Sequence, residues 1–169
     1  SLYYERGYRL LAYNPFEGVP SENRWLIISP DGYARKNYHY GIDFLEVKDK
    51  SFREELKHYV WHQTSMSVST VATSIYMVIE FLNFISNYKK TNEIDGFLSA
   101  DLLEQWGFYI DSKEPSTKNS YVKRCRAYLK FYRDKFQIPS LLIDILQQRR
   151  LEDDGGTPMT KHDIDLFSK

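Results

Sequence analysis

The sequence predicts a mainly α fold, a four- to five-helix bundle preceded by a small N-terminal β-hairpin. Three observations carry that expectation. Apolar residues recur with period two from Tyr38 to Phe44, shortly after a strong turn signal. From Asp49 onward they recur at helical spacing instead. The chain has 169 residues, 42 % apolar and 16 % aromatic, enough for one ordinary domain with a buried core.

Residues 1–48 hold the hairpin. Residues 25–28 are a short apolar run, followed by Ser29-Pro30-Asp31-Gly32. Pro presets φ at the second turn position and Gly suits the fourth, which describes a type I turn. Beyond it Tyr38, Tyr40, Ile42 and Phe44 share one face, while His39, Gly41 and Asp43 take the other. A hairpin is marginal alone, so this one is expected to pack on the helices C-terminal to it.

Residues 49–150 hold the helices. Asp49 or Ser51 can cap a first helix reaching about His62, with Phe52, Leu56, Tyr59 and Val60 as its apolar side. A second helix should run from about Ser69 to about Tyr88. Its core stripe is Val71, Ile75, Val78, Leu82 and Ile85, widened by Met77, Phe81, Phe84 and Tyr88. That width marks it as central. Its other face, Ser69, Thr73, Tyr76, Glu80, Asn83 and Asn87, is polar but only once charged. A third helix spans about residues 99–110. Pro115-Ser116 opens a fourth, which reaches about Phe136 and is closed by Ile138-Pro139. A short apolar piece follows at 141–146. Residues 151–169 begin with the linker-like Glu152-Asp153-Asp154-Gly155-Gly156. Thr160-Lys161-His162-Asp163 is then a capping-box pattern leading into Ile164, Leu166 and Phe167. A helix start without a helix body implies the opening of a further domain.

No apolar run approaches the roughly 20 residues of a membrane span. The longest, 68–85, is interrupted by Thr73, Ser74, Glu80 and Asn83. No membrane partner is therefore expected. The single cysteine, Cys125, can form neither an internal disulfide nor a multi-cysteine zinc site, which fits a reducing, cytoplasmic setting.

The formal net charge is zero, from 23 basic and 23 acidic residues. That total is a cancellation. Residues 115–150 carry nine basic against two acidic side chains, while 51–114 and 151–169 are net acidic. Within the fourth helix Asn119, Lys123, Arg126, Lys130 and Arg133 follow spacings of 4, 3, 4 and 3, on one stripe. Its core stripe is Val122, Cys125, Leu129, Tyr132 and Phe136, with Tyr121 and Tyr128 beside it. Like charges at i,i+4 destabilise a helix mildly, and no acid relieves them on that stripe. A polyanionic partner would, and the alternative is a basic face that water alone solvates. Ser116, Thr117 and the free N–H groups at the helix start add a phosphate-binding end.

Other chemistry is weakly signalled. His58 and His62 stand at i,i+4, with Glu54 a turn earlier, but the metalloprotease pattern needs Glu directly after the first His and Tyr59 is there. No metal site is expected. Cys125 sits on the core stripe, so a buried thiol is expected rather than a nucleophile. No glycine-rich phosphate loop occurs, and the acidic pairs Glu54-Glu55 and Asp153-Asp154 show no general acid/base arrangement. No small-molecule cofactor and no catalytic residue is expected in this chain.

Ser67-Val68-Ser69-Thr70-Val71, followed by Ile75, Ile79 and Phe81-Leu82-Asn83-Phe84-Ile85, resembles the "S-x-x-T-hydrophobic … F-l-x-F-l" helix of tyrosine recombinases, the phage-integrase family. Residues 115–121, Pro-Ser-Thr-Lys-Asn-Ser-Tyr, continuing through Arg126-Ala127-Tyr128-Leu129-Lys130-Phe131-Tyr132, look like the second such helix of the same domain. Residues 155–164 are similar to the segment where the catalytic domain of that family opens. The resemblance covers about residues 51–169, and order and spacing carry it more than any one motif.

The resemblance implies a SAM-like core-binding domain at 49–150, which clamps duplex DNA together with a catalytic domain and alongside other recombinase protomers. The strand-cleaving Arg, Lys, His and Tyr of the family belong to that catalytic domain and map onto no residue here. The expected contacts are Lys118, Asn119, Lys123, Arg126, Lys130 and Arg133, mostly to phosphates, with Asn119 or Arg126 able to read a base edge. Thr70 and Thr73 form a second tier. The 1–48 region departs from the core-binding pattern and is open to two roles, an arm-site DNA element or packing for the bundle. Two rival classes remain, a helical protein-interaction module and a transcriptional regulator. The regulator requires a tight helix-turn-helix pair, and about ten residues separate the second and third expected helices.

Overall fold

The computed structural model describes residues 2–28, 39–63, 66–92 and 99–136. The turn at 29–32, the apolar piece at 141–146 and the 151–169 segment lie outside the described residues. The chain is mainly helical, with a small three-stranded sheet near its N-terminus. It forms two compact units, residues 1–86 and 87–169.

The first unit begins with a short helix α1 (Leu2–Glu5), then strands β1 (Arg9–Ala12), β2 (Arg24–Ile28) and β3 (His39–Asp43). β2 and β3 pair antiparallel, with Trp25 opposite Ile42 and Ile27 opposite Tyr40. That pairing is the expected one, and Trp25, Ile27, Ile42 and Phe44 are all buried. Phe44 itself lies in a 3-10 turn (Phe44–Glu46) that Asp43 caps by accepting from the Leu45 N–H. Trp25 meets Phe44 with ring centroids 4.5 Å apart and Trp61 at 5.5 Å. On the opposite face, the Tyr3 ring lies over Gly41. A Cβ there would stand 2.8 Å from the ring edge, so this strand position favours glycine.

β1 is an addition to the expected hairpin. It runs parallel to β2, with Arg9 opposite Trp25 and Ala12 opposite Ile28. A parallel pair needs a crossover, and here residues 13–23 supply it without a helix. Its backbone carbonyls must therefore find partners elsewhere. Helix α2 (Lys50–Trp61) and its cap provide them. His62 Nδ1 donates to the Pro15 carbonyl (2.7 Å), Trp61 Nε1 to Glu17 (3.0 Å) and Lys57 Nζ to Ser21 (3.0 Å). In return the Tyr13 hydroxyl donates to the Gln63 carbonyl at 2.6 Å. Lys57 is 1 % exposed, and Glu54 balances its charge at 3.1 Å.

Asp49 caps α2 by accepting from the Phe52 N–H at 2.9 Å, which resolves the choice between Asp49 and Ser51. Phe52, Leu56, Tyr59 and Val60 are buried as their spacing predicts. The sheet thus packs on α2 in one unit, and the division between units falls within α3.

Helix α3 (Val68–Asn92) buries the whole stripe Val71, Ile75, Val78, Leu82 and Ile85. On its polar side Asn83 accepts from the Lys48 N–H and donates to the Glu46 carbonyl, both at 2.9 Å. Contrary to expectation, the stretch Ser69–Lys90 is long and apolar enough to cross a membrane by length and composition. Its buried stripe, opposed by Thr73, Glu80, Asn83 and Asn87, is also the pattern of a core helix.

Burial raises the Tyr13 phenol above the ordinary tyrosine value of 10.0, so the folded state favours its protonated, donating form. Its contribution is present below the unfolded value and is lost as pH climbs through the raised one. Tyr13→Phe should lower unfolding free energy by about 1 kcal/mol at neutral pH. It should also flatten the decline in stability above about pH 10, both read from urea melts across pH.

Candidate nucleic-acid interface

The second unit contains the end of α3, helix α4 (Ala100–Ile110) and helix α5 (Pro115–Phe136). Ser99 caps α4 by accepting from the Leu102 N–H at 3.1 Å. Leu102, Leu103, Trp106, Gly107 and Ile110 form its buried side. The Tyr88 hydroxyl, at the end of α3, donates to the Asp101 carboxylate at 3.0 Å, and that bond holds its phenol above the usual range.

α5 starts on Pro115, whose missing N–H costs nothing in a first helical turn. Tyr121, Val122, Cys125, Tyr128, Leu129 and Tyr132 make its buried side. Trp106 of α4 meets Tyr121 at 6.1 Å, and Tyr128 meets Tyr132 edge-on at 5.0 Å. Cys125 is fully buried, as its stripe position predicts.

That burial fixes the rotation of α5 about its axis and decides which polar residues face water. Ser116, Lys123 and Lys130 are exposed. They are seven residues apart, so each step along this line is about 10.5 Å. Asn119 and Arg126 flank the line and are half-buried. Arg133 lies in α5, and its side chain is outside the described residues. The exposed basic line is therefore narrower than the five-residue stripe that spacing alone predicts.

Lys118 requires a correction. It is 6 % exposed, and its ammonium pairs with Asp111 in the turn between the helices. Position 118 lies three residues before Tyr121 and four before Val122, which puts it on the core side of the helix. It is not a surface cation. The pair instead fixes residues 111–114, helped by Lys113 Nζ, 4.6 Å above the Tyr121 ring.

Thr70 and Thr73 belong to the first turns of α3, in the first unit. Thr70 is half-buried, its hydroxyl 2.8 Å from the Ser67 hydroxyl, and Ser67 also accepts from the Thr70 N–H at 3.2 Å. Thr73 is exposed but donates to the Ser69 carbonyl at 2.8 Å. Both hydroxyls serve the helix start.

His58 and His62 stack edge-on with ring centroids 4.5 Å apart, and His62 Nδ1 is engaged by Pro15. Among the described residues no group of three His, Cys, Asp or Glu side chains could hold a metal. Two further features bear on the rival readings. Phe108 and Tyr109 are exposed side by side on α4, with Tyr109 stacked on Trp106 at 5.3 Å. Residues 111–114 also give α4 and α5 a short connection, one helix later than the pair whose separation argued against a regulator.

Comparison of the chain with family models, curated proteins and solved structures finds no match.

The Lys118–Asp111 pair generates an asymmetric expectation. Asp111→Asn removes the carboxylate that the buried Lys118 ammonium pairs with and should cost about 1–3 kcal/mol, less than a fully enclosed pair because Asp111 is partly exposed. Lys118→Met removes the charge with the need for it and should cost less. Urea melts of both variants check the order.

Proposed function

We propose that the chain is the non-catalytic, DNA-binding portion of a site-specific tyrosine recombinase or integrase. In this reading a SAM-like core-binding bundle grips duplex DNA at the recombination core site through α5, next to other recombinase protomers. The observation that supports it is the exposed line Ser116, Lys123 and Lys130, flanked by Arg126, on a helix whose opposite side buries Tyr121, Val122, Cys125, Tyr128, Leu129 and Tyr132. Two cations about 10.5 Å apart can each neutralise a backbone phosphate and position the helix, while Arg126 and Asn119 stand beside them for base edges. Arg133 extends the basic spacing in the sequence, and Lys118 acts by fixing the turn rather than by contact. Thr70 and Thr73 stay behind the basic residues, because backbone carbonyls and Ser67 already engage them.

A sheet packed on α2 favours the packing role for residues 1–48 over a separate arm-site element. Two rivals also draw on particular features. The exposed Phe108 and Tyr109 favour a protein-interaction surface on α4. The short 111–114 connection favours a regulator whose α4–α5 pair docks on DNA. The regulator reading shares the DNA face and differs only in what the bound protein then does.

Exposed cations on phosphate act through counterion release, so salt is the discriminating variable. Reversing both Lys123 and Lys130 to Glu should weaken binding to a fluorescent duplex by at least about 10-fold and lower the salt slope by about 1.8. Circular dichroism should stay unchanged, since both side chains are exposed. Wild-type binding that barely responds to salt would instead favour the protein-interaction reading.

A further inference from the structure

The exposed faces of α4 and α5 carry opposite charge at matching spacing. On α4 and its C-cap, Glu104, Phe108 and Asp111 are exposed at intervals of 4 and 3. On α5, exposed Lys130 and Lys123, with half-buried Arg126 between them, stand at the same intervals when read in the opposite direction. Described residues of α4 include no cation. Each helix buries its other side, through Leu102, Leu103 and Trp106 on α4 and Val122, Cys125 and Leu129 on α5.

We propose that the acidic, aromatic face of α4 in one copy of this chain docks antiparallel on the basic face of α5 in a second copy. In that register Glu104 meets Lys130, Phe108 meets Arg126 and Asp111 meets Lys123. Phe108 is 57 % exposed, and a guanidinium stacked over its ring would take that apolar surface out of water. Asp111 keeps Lys118 as an internal partner, and its side chain, 36 % exposed, still reaches the surface. The same spacing continues to Asp101 and Arg133 in the sequence.

The occupant is a second copy because its α5 offers cations in complementary number and spacing. The contact is heterologous, acidic face to basic face. Exposed ion pairs are individually weak and screened by salt, so the association belongs at high protein concentration and low ionic strength. It stands whether or not α5 binds DNA. Its consequence, a DNA face covered in the free protein, rests on the proposed function.

Sedimentation velocity of the 169-residue chain tests it. Between about 10 and about 300 µM protein the weight-average mass should rise at about 50 mM salt and not at about 300 mM. Glu104→Lys alone, Lys130→Glu alone and Phe108→Ser should each weaken association by about 10-fold. An equimolar mixture of Glu104→Lys and Lys130→Glu chains should associate again, because each exposed charge then finds its opposite. A wild-type chain that stays monomeric throughout, a Glu104→Lys chain that associates undiminished, or a mixture that stays monomeric overturns the contact. Duplex affinity is read separately, with Glu104→Lys retaining it. Absent DNA binding in a self-associating wild type removes the proposed function and leaves this contact standing.

Discussion

The rotation of α5 about its own axis is the constraint that sets the surface of the second unit. Val122, Cys125, Tyr128 and Leu129 are fully buried, and Tyr121 and Tyr132 nearly so. Burying each large apolar side chain contributes about 1.5–3 kcal/mol. A turn of one residue, about 100°, would bring several of them into water and drive Lys123 or Arg126 inward. Core packing therefore decides which cations are displayed. The same rotation sends Lys118 inward, where Asp111 satisfies it and the turn between α4 and α5 becomes fixed. Charge display and turn geometry are thus two consequences of one apolar stripe.

In the first unit the comparable constraint is the helix-free crossover at 13–23. A parallel strand pair without a covering helix leaves carbonyls that require donors, and α2 supplies them from Lys57, Trp61 and His62. These bonds explain a lysine that is 1 % exposed on an otherwise amphipathic helix. They also tie the sheet to α2, so residues 1–48 do not stand as a separate element. Each unit solves a backbone or charge problem with one buried lysine, Lys57 in the first and Lys118 in the second.

What the sequence made legible was periodicity and capping. Asp49 caps α2 as its residue type requires, and the stripes of α2 and α3, with the described part of the α5 stripe, are buried where spacing puts them. The β2–β3 pairing was also readable, from the apolar run at 25–28, the turn signal after it and the alternation at 38–44. β1 was not, because Arg9-Leu10-Leu11-Ala12 has no alternation and is largely exposed; its strand character comes from pairing with β2. Lys118 and Lys57 escaped for another reason. A lysine is read as exposed by type, and only its position relative to Tyr121, or the carbonyl of Ser21, makes burial favourable. The exposure of Phe108 and Tyr109 was hidden in the same way, since an aromatic residue is read as core until its face is known. At the candidate site the helix and its basic character were legible, and the division into displayed, flanking and buried cations was not.

Lysine-reactivity footprinting tests most directly whether the exposed line of α5 is the DNA face. Acetylation of the free protein should modify Lys123 and Lys130 and spare the buried Lys57 and Lys118. With saturating duplex DNA, Lys123 and Lys130 should be protected by about 10-fold or more as their ammonium groups pair with phosphates. If both react equally with and without bound duplex, α5 is not the surface that holds DNA.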